Sequence, residues 1–215
     1  MKQHEIFIIG LYGPQGAGKS TIAKMISDQL PGRTLEVPFS KLLKEVCTQL
    51  YGVTNYADKN EKFPLASYPN LSTRELLQKT ASAIKNIQKT IFIEHTQKLI
   101  SEAVDKPLIV IPDIRHDDER LYVEMSNHSK IFKIITKAET AQVGVEHESE
   151  QEWKKWEGDE LIINEGDEQN LYQKVRSQIF NTIPQWVLEK QITGWGLITE
   201  ASIGLQGDFW MDIPI

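Results

Sequence analysis

Cysteine is nearly absent: Cys47 is the one example in 215 residues. A single thiol makes neither an intrachain disulfide nor a cysteine-based metal cluster, so the fold must rest on its apolar core. The setting Leu43-Lys44-Glu45-Val46-Cys47 puts this thiol on the apolar side of a helix, a core position and not that of a nucleophile. Long apolar runs are missing as well. Met1–Glu5 leads into Ile6–Tyr12, which is too short to cross a bilayer, and then into glycines with no cleavage-site pattern. Positive charge is in deficit, 24 Lys and Arg against 30 Asp and Glu, for a net charge of −6. That balance gives no support to a long nucleic acid or an anionic membrane as the partner. The compartment these absences suit is a reducing cytoplasm.

What is present is an alternation of strand and helix. Ile6–Tyr12 is a continuous apolar run, the mark of a strand covered on both faces. A glycine-rich turn follows, then Lys19–Leu30 with Ile22, Ala23, Met25, Ile26 and Leu30 at helical spacing, stopped by Pro31-Gly32. Thr34–Val37 reads as a short strand. Ser40 reads as the N-cap of a helix whose apolar side carries Leu43, Val46, Cys47 and Leu50, ended by Gly52. Residues 53–71, with Pro64 and Pro69, break the rhythm as a long loop or insertion. Ser72-Thr73-Arg74-Glu75 is a capping box opening a helix with Leu76, Leu77, Ala83, Ile84 and Ile87 on one side. A further helix is predicted over Phe92–Val104, strands over Leu108–Pro112, Ile131–Thr136 and Leu161–Asn164, and helices over Asp117–Met125 and Asp167–Ile179. Residues 137–158 are charged and weakly patterned. The whole predicts a three-layer α/β fold, about five mainly parallel strands with helices on both faces, plus a β-prone extension over 184–215. That extension holds Trp186, Trp195 and Trp210, too apolar to stay solvated; it packs on the parent domain or forms a homodimer contact.

One string carries chemistry outright. Gly13-Pro14-Gln15-Gly16-Ala17-Gly18-Lys19-Ser20 matches G-x-x-x-x-G-K-[ST] in full, between a buried strand and an amphipathic helix. Glycines let the backbone curl so that successive N–H groups face phosphate oxygens, and the helix start adds its positive end. The expected ligand is ATP with Mg²⁺. Gly13, Gln15, Gly16, Ala17, Gly18, Lys19, Ser20 and Thr21 form the phosphate site, with Lys19 on the β- and γ-phosphates and the Ser20 hydroxyl on Mg²⁺. The acceptor is left open by this motif.

Asp113 and Arg115 close a predicted buried strand, where ligands bind in open α/β sheets. Asp113 suits Mg²⁺, directly or through water, or a hydrogen bond to the acceptor. Arg115 offers a planar fork for a phosphate in transfer, against the blander reading of a salt bridge with Asp117 or Glu119. Arg74 stands in the first turn of a helix, a poor place for a cation unless an anion is near. That anion is Glu75 or a substrate phosphate. The chain has five arginines, Arg33, Arg74, Arg115, Arg120 and Arg176, and two of them stand at these positions.

With these residues in hand, the chain resembles the phage-type deoxynucleoside monophosphate kinases over most of residues 6–180. Phe39-Ser40-Lys41-Leu42-Leu43-Lys44-Glu45 is similar to that family's F-A-x-P-[LI]-K-[DE]. Thr73-Arg74-Glu75-Leu76-Leu77-Gln78 is similar to its R-x-L-[LM]-Q, and Val110–Arg115 followed by Glu119 to its V-V-P-D-x-R-x-x-x-E. His147-Glu148-Ser149-Glu150 and Asp159–Gly166 are similar to H-x-[ST]-E and D-x-V-I-x-N-[DE]-G. Departures fall at Leu42, Ala81-Ser82, Phe92 and Lys137.

The resemblance implies that Lys44, Arg74 and Arg115 surround the acceptor monophosphate, that Gln78 helps read its base, and that Asn164 and Gly166 lie near adenine. It implies a kinase domain over 1–183, with 53–71 on the acceptor side and 137–158 as a lid, working in the host cytoplasm if a phage encodes it. The expected activity is transfer of the γ-phosphoryl of ATP to a deoxynucleoside 5′-monophosphate. Two alternatives stand beside it: another small-molecule P-loop kinase, of the dephospho-coenzyme A or phosphomevalonate type, and a nucleotide-binding regulator.

Overall fold

The computed structural model describes residues 5–56, 64–65, 68–137, 152–157 and 159–189. Its centre is a five-stranded sheet. Strand β1 (Phe7–Tyr12) is followed by helix α1 (Lys19–Gln29), strand β2 (Thr34–Glu36) and helix α2 (Lys41–Tyr51). A short antiparallel pair, β3 (Pro64–Leu65) and β4 (Tyr68–Ser72), leads to α3 (Thr73–Ile87) and α4 (Ile91–Glu102). Then come β5 (Leu108–Ile114), α5 (Asp117–Glu124), β6 (Ser129–Thr136), β7 (Glu160–Asn164), α6 (Glu168–Lys174) and α7 (Gln185–Glu189). The sheet order is β2-β5-β1-β6-β7, parallel throughout. Each strand predicted from an apolar run is found, because strands buried on both faces cannot afford polar alternation.

The two faces carry separate cores. On one, Ile22, Ala23 and Ile26 of α1 and Leu171 of α6 pack on Ile9, Leu11, Val110, Phe132 and Ile134. On the other, Ile100 of α4 and Val123 of α5 pack on Ile8, Tyr12, Ile109 and Ile111. β1 is central, flanked by β5 and β6, so the chain leaving its carboxyl end emerges over the middle of the sheet.

A local irregularity shapes that end. Gly10 pairs with Ile111 but Tyr12 with Ile114, so β5 holds one extra residue where Pro112 has no N–H to give. Bulges of this kind re-aim side chains. Ile114 thereby joins the α5-side core, across Gly10, where an added Cβ would meet Ile114 Cδ1 at 2.5 Å.

Three expectations are corrected. Ser40 precedes α2, but its side chain makes no capping bond. Asp113 of β5 accepts the N–H groups of Phe39 and Ser40 at 2.8 and 3.0 Å and so holds that helix start from outside. Leu50 is 66% exposed and Ile87 89% exposed, although both were assigned to apolar sides. α2 and α3 meet through their middles, where Cys47 and Thr80 are buried, and their last turns overhang the contact. Cys47 is a core residue, as expected. The capping box of α3 is present, Ser72 Oγ accepting from Glu75 N–H and Glu75 Oε2 from Ser72 N–H.

Two stretches pack more firmly than their sequences suggest. Trp153 and Trp156, around a 3₁₀ turn at Trp153–Lys155 within the segment expected as a lid, are buried in the α5-side core. Beyond residue 183, Val187 of α7 is buried in the α1-side core, and its carbonyl accepts from the Arg33 guanidinium at 3.1 Å. Residues 138–151, with the His147–Glu150 block, and 190–215, the remainder of the expected extension, lie outside the described residues. No helix among the described residues is long and apolar enough to cross a membrane.

Candidate functional site

The carboxyl end of β1 passes directly into Gly13. Gly13, Gly16 and Gly18 have φ of +130°, +83° and +97°, a region open to glycine and strained for other residues. Gly13 is also tight: a Cβ there would stand 1.9 Å from the Ile134 carbonyl oxygen. Gly16 has nothing within 4 Å of its Cβ position and lies on the open side of the curl. Gly18 occupies the N-cap of α1, which has no side-chain cap and no acidic residue in its first turn. Gln15, Ser20 and Thr21 are exposed and Ala17 is buried. A helix start with no side-chain cap, hydroxyls beside it and no carboxylate in its first turn to repel an anion fits a polyphosphate and its Mg²⁺. The Lys19 ammonium lies over the loop, donating to the carbonyls of Gly13 and Pro14 at 2.7 and 2.6 Å.

The side walls come from strands next to β1. Because Tyr12 pairs with Ile114, the residues that follow on each strand, Gly13 and Arg115, leave the sheet side by side. Beneath Arg115 lies Glu119, 5% exposed, whose Oε2 accepts the backbone N–H groups of Arg115 and His116 at 2.8 and 3.2 Å. Burial first, and the nearby Asp113 second, push its carboxyl up to about 8. Lys85, reaching over from α3, stands 3.9 Å from the other oxygen. Burial thus favours the protonated carboxyl over the carboxylate beneath Arg115. Asp113 has both oxygens on the backbone of Phe39 and Ser40, and retains lone pairs for a water. Glu36, at the end of β2, has its carboxyl raised by desolvation and then by Asp113, while Lys44 pulls it down. Lys44 is thus near enough to Glu36, at the end of β2, for its charge to be felt there.

The acceptor-side residues stand on two helices that touch, Lys44 on α2 and Arg74 and Gln78 on α3. Lys44 lines a depression of about 300 Å³ with Pro38, Lys41, Glu45, Thr48 and Gln49. Gln78 lines another, of about 460 Å³, with Glu75, Lys79, Ser82, Ala83 and Asn86 of the same helix. The two share no residue. Arg74 is in the first turn of α3, where the Glu75 carboxylate is engaged by Ser72.

On the other flank, Asn164 at the end of β7 donates to the Ala17 carbonyl at 3.0 Å and accepts from Gly166 N–H at 2.9 Å. Gly166, φ +90°, turns the chain into α6, capped by Asp167.

Sequence reasoning passed over a second cluster at the foot of the loop. The Tyr12 hydroxyl donates to Asp159 at 2.9 Å, and both Asp159 oxygens accept from the Arg120 guanidinium. Arg120 stacks over Trp156 at 5.0 Å, and Trp156 Nε1 donates to Asp117 at 2.7 Å. Glu152 accepts from Asp117 N–H at 3.0 Å and lies 3.2 Å from His116 Nδ1. Asp159, Arg120 and Trp156 thus hold Tyr12, the residue before Gly13, and Asp117, Glu152 and His116 brace them in turn. Its signal in the sequence is two tryptophans in an otherwise charged stretch.

With the loop's geometry established, a family model, the KAP family P-loop domain, matches residues 1–192. The chain belongs to the KAP family of P-loop domains. This KAP-family membership establishes the P-loop class announced by Gly13–Ser20 and is silent about deoxynucleoside monophosphates. Solved structures with a similar chain course include the tunicamycin resistance protein of Deinococcus radiodurans, at 16% identity over 81% of this chain and 96% of that one, TM-score 0.42. The dephospho-CoA kinase of Campylobacter jejuni matches at 15% identity over 81% and 96%, TM-score 0.43. A sugar kinase from a Janibacter species matches at 13% over 85% and 98%, TM-score 0.39. At this distance these likenesses do not bear on activity. No curated protein matches the chain.

Proposed function

We propose that this KAP-family chain is an ATP-dependent phosphotransferase whose acceptor is a deoxynucleoside 5′-monophosphate. The observation that carries the reading is the register of β1 and β5, which brings Arg115 out of the sheet beside the glycine loop. A phosphoryl group held by the loop would be within the region a guanidinium fork commands. Lys44 and Arg74, each near a helix start on the acceptor side, supply charge for a second phosphate.

Transfer here needs positioning and neutralisation rather than a covalent enzyme intermediate. An acceptor phosphate oxygen attacks the γ-phosphorus in line, the bond to the β-bridging oxygen breaks, and ADP leaves. Mg²⁺, when bound, would draw off the charge that develops on the phosphates; Ser20 would hold it, with Asp113 reached through water. Lys19 would exchange the Gly13 and Pro14 carbonyls for the β- and γ-phosphates. Arg115, its backbone braced by Glu119, would meet the equatorial oxygens.

The test is ADP release against a panel of all deoxynucleoside and ribonucleoside monophosphates, with dephospho-coenzyme A, phosphomevalonate and a no-acceptor control. Turnover dependent on a deoxynucleotide is the expected result. Turnover on another acceptor moves the assignment to that substrate. Slow ADP release independent of acceptor supports a second reading, a nucleotide-binding regulator, which the family's description as an NTPase favours.

A further inference from the structure

We propose that Asn164 is a positioning residue that latches the glycine loop from the neighbouring strand, and that it acts on the phosphates of a bound nucleotide and not on its base. The inference rests on the reading of Gly13–Thr21 as a triphosphate cradle and goes beyond it.

Both polar atoms of the Asn164 side chain are on backbone partners. Nδ2 donates to the Ala17 carbonyl at 3.0 Å, and Oδ1 accepts from Gly166 N–H at 2.9 Å. These two bonds fix which way the amide faces, since exchanging its ends would set oxygen against oxygen at Ala17. The main chain is held too, the Asn164 carbonyl accepting from Lys137 N–H at 3.2 Å at the end of the β6–β7 ladder.

The grip is on the part of the loop that forms the floor. Ala17 is buried, and its own N–H donates to Pro14 O at 3.3 Å, so the residue is secured at both ends. Gly18 follows at φ +97°, and a Cβ there would lie 2.5 Å from Asn164 Nδ2. The glycine is therefore needed twice: for its backbone angle and to let the amide approach. This gives Gly18 a packing role in addition to the backbone one.

The anchor is itself stiff. Lys174 donates to the Ile163 carbonyl at 2.8 Å and stands 3.3 Å from Glu165, while Asp167 accepts from Gln169 N–H at 2.9 Å. A latch mounted on a rigid turn transmits its geometry to what it holds. Aspartate at 164 would lack the donor and place a lone pair against the Ala17 carbonyl.

Calorimetric titration of the full chain with Mg²⁺-tripolyphosphate, which has phosphates and no base, and with Mg²⁺-ATP separates a latch from an adenine contact. Asn164→Ala is expected to lose about three- to tenfold in affinity for both ligands, the worth of one neutral hydrogen bond. Asn164→Ser, whose hydroxyl can still close the turn on Gly166 but is too short for Ala17, is expected to lose as much, and carries the test if alanine unfolds the turn. A loss confined to ATP, or none for either ligand, overturns the proposal. A parent chain that binds neither ligand overturns the cradle reading and the latch with it.

Discussion

A carboxyl group that keeps its proton to about pH 8 leaves a thermodynamic trace. Glu119 titrates near 4.5 when unfolded and at about 8 when folded, desolvation being the main cause. Between those values the folded chain binds more protons than the unfolded one, so stability falls as pH rises through the window. Thermal melts from pH 5 to 9 should show this decline, and Glu119→Gln, which keeps an oxygen for Arg115 and His116, should flatten it. Parallel curves would mean that Lys85 keeps Glu119 ionised. The residue above it gives a second prediction. Arg115→Lys keeps the charge and the backbone bond to Glu119 but loses the planar fork, so turnover should drop about a hundredfold or more with an unchanged melting temperature. Steady-state kinetics beside a melt checks both halves; retention of most of kcat would return Arg115 to the surface. Glu119 was hard to read in the sequence. Within Asp117-Asp118-Glu119-Arg120 it resembles any polar helix start, and the Lys85 that faces it comes from α3, distant in the chain.

At the scale of elements, α2 and α3 carry the cations expected around the acceptor, and each start is pinned differently. α2 is held from outside by Asp113, and α3 by its own capping box. Arg74→Ala leaves that box intact and should raise KM for the acceptor at least several-fold more than KM for ATP. Equal effects on both would assign Arg74 to structure. The strands and the glycine loop were legible because each is written in consecutive residues: an apolar run for a strand buried twice, and glycines where φ turns positive. Trp153 and Trp156 were not, because Lys154 and Lys155 separate them and neither periodicity emerges from so short a turn. The mid-helix seam of α2 and α3 was half legible. Spacing marked an apolar side, but the crossing point, which leaves Leu50 and Ile87 outside, depends on the partner.

For the whole molecule, the boundary of the packed unit lies past residue 183. Val187 is fully buried and Trp186 packs edge-on to His128, with ring centroids 5.8 Å apart. A chain ended at Ile183 should therefore melt well below one ended at Glu189, and Val187→Ala alone should remove about 1–3 kcal/mol by leaving a cavity. Denaturant unfolding of the three proteins is the check; equal midpoints would make α7 an ornament. A light-scattering mass for the full chain tests the homodimer contact that is one of the two expectations for 184–215; a monomer mass leaves packing on the parent domain, as Val187 packs.

The sheet order also dictates when the cradle can exist during synthesis. β1 is made first yet stands in the middle, with Phe7 against Leu108 on one edge and Ile8 against Ser129 on the other. A nascent chain must carry this apolar strand unpaired until both partners have left the ribosome. Non-local pairing of this kind slows folding and leaves the intermediate open to aggregation. The glycine loop, though translated before β5 and β6, acquires its shape only once both have paired with β1.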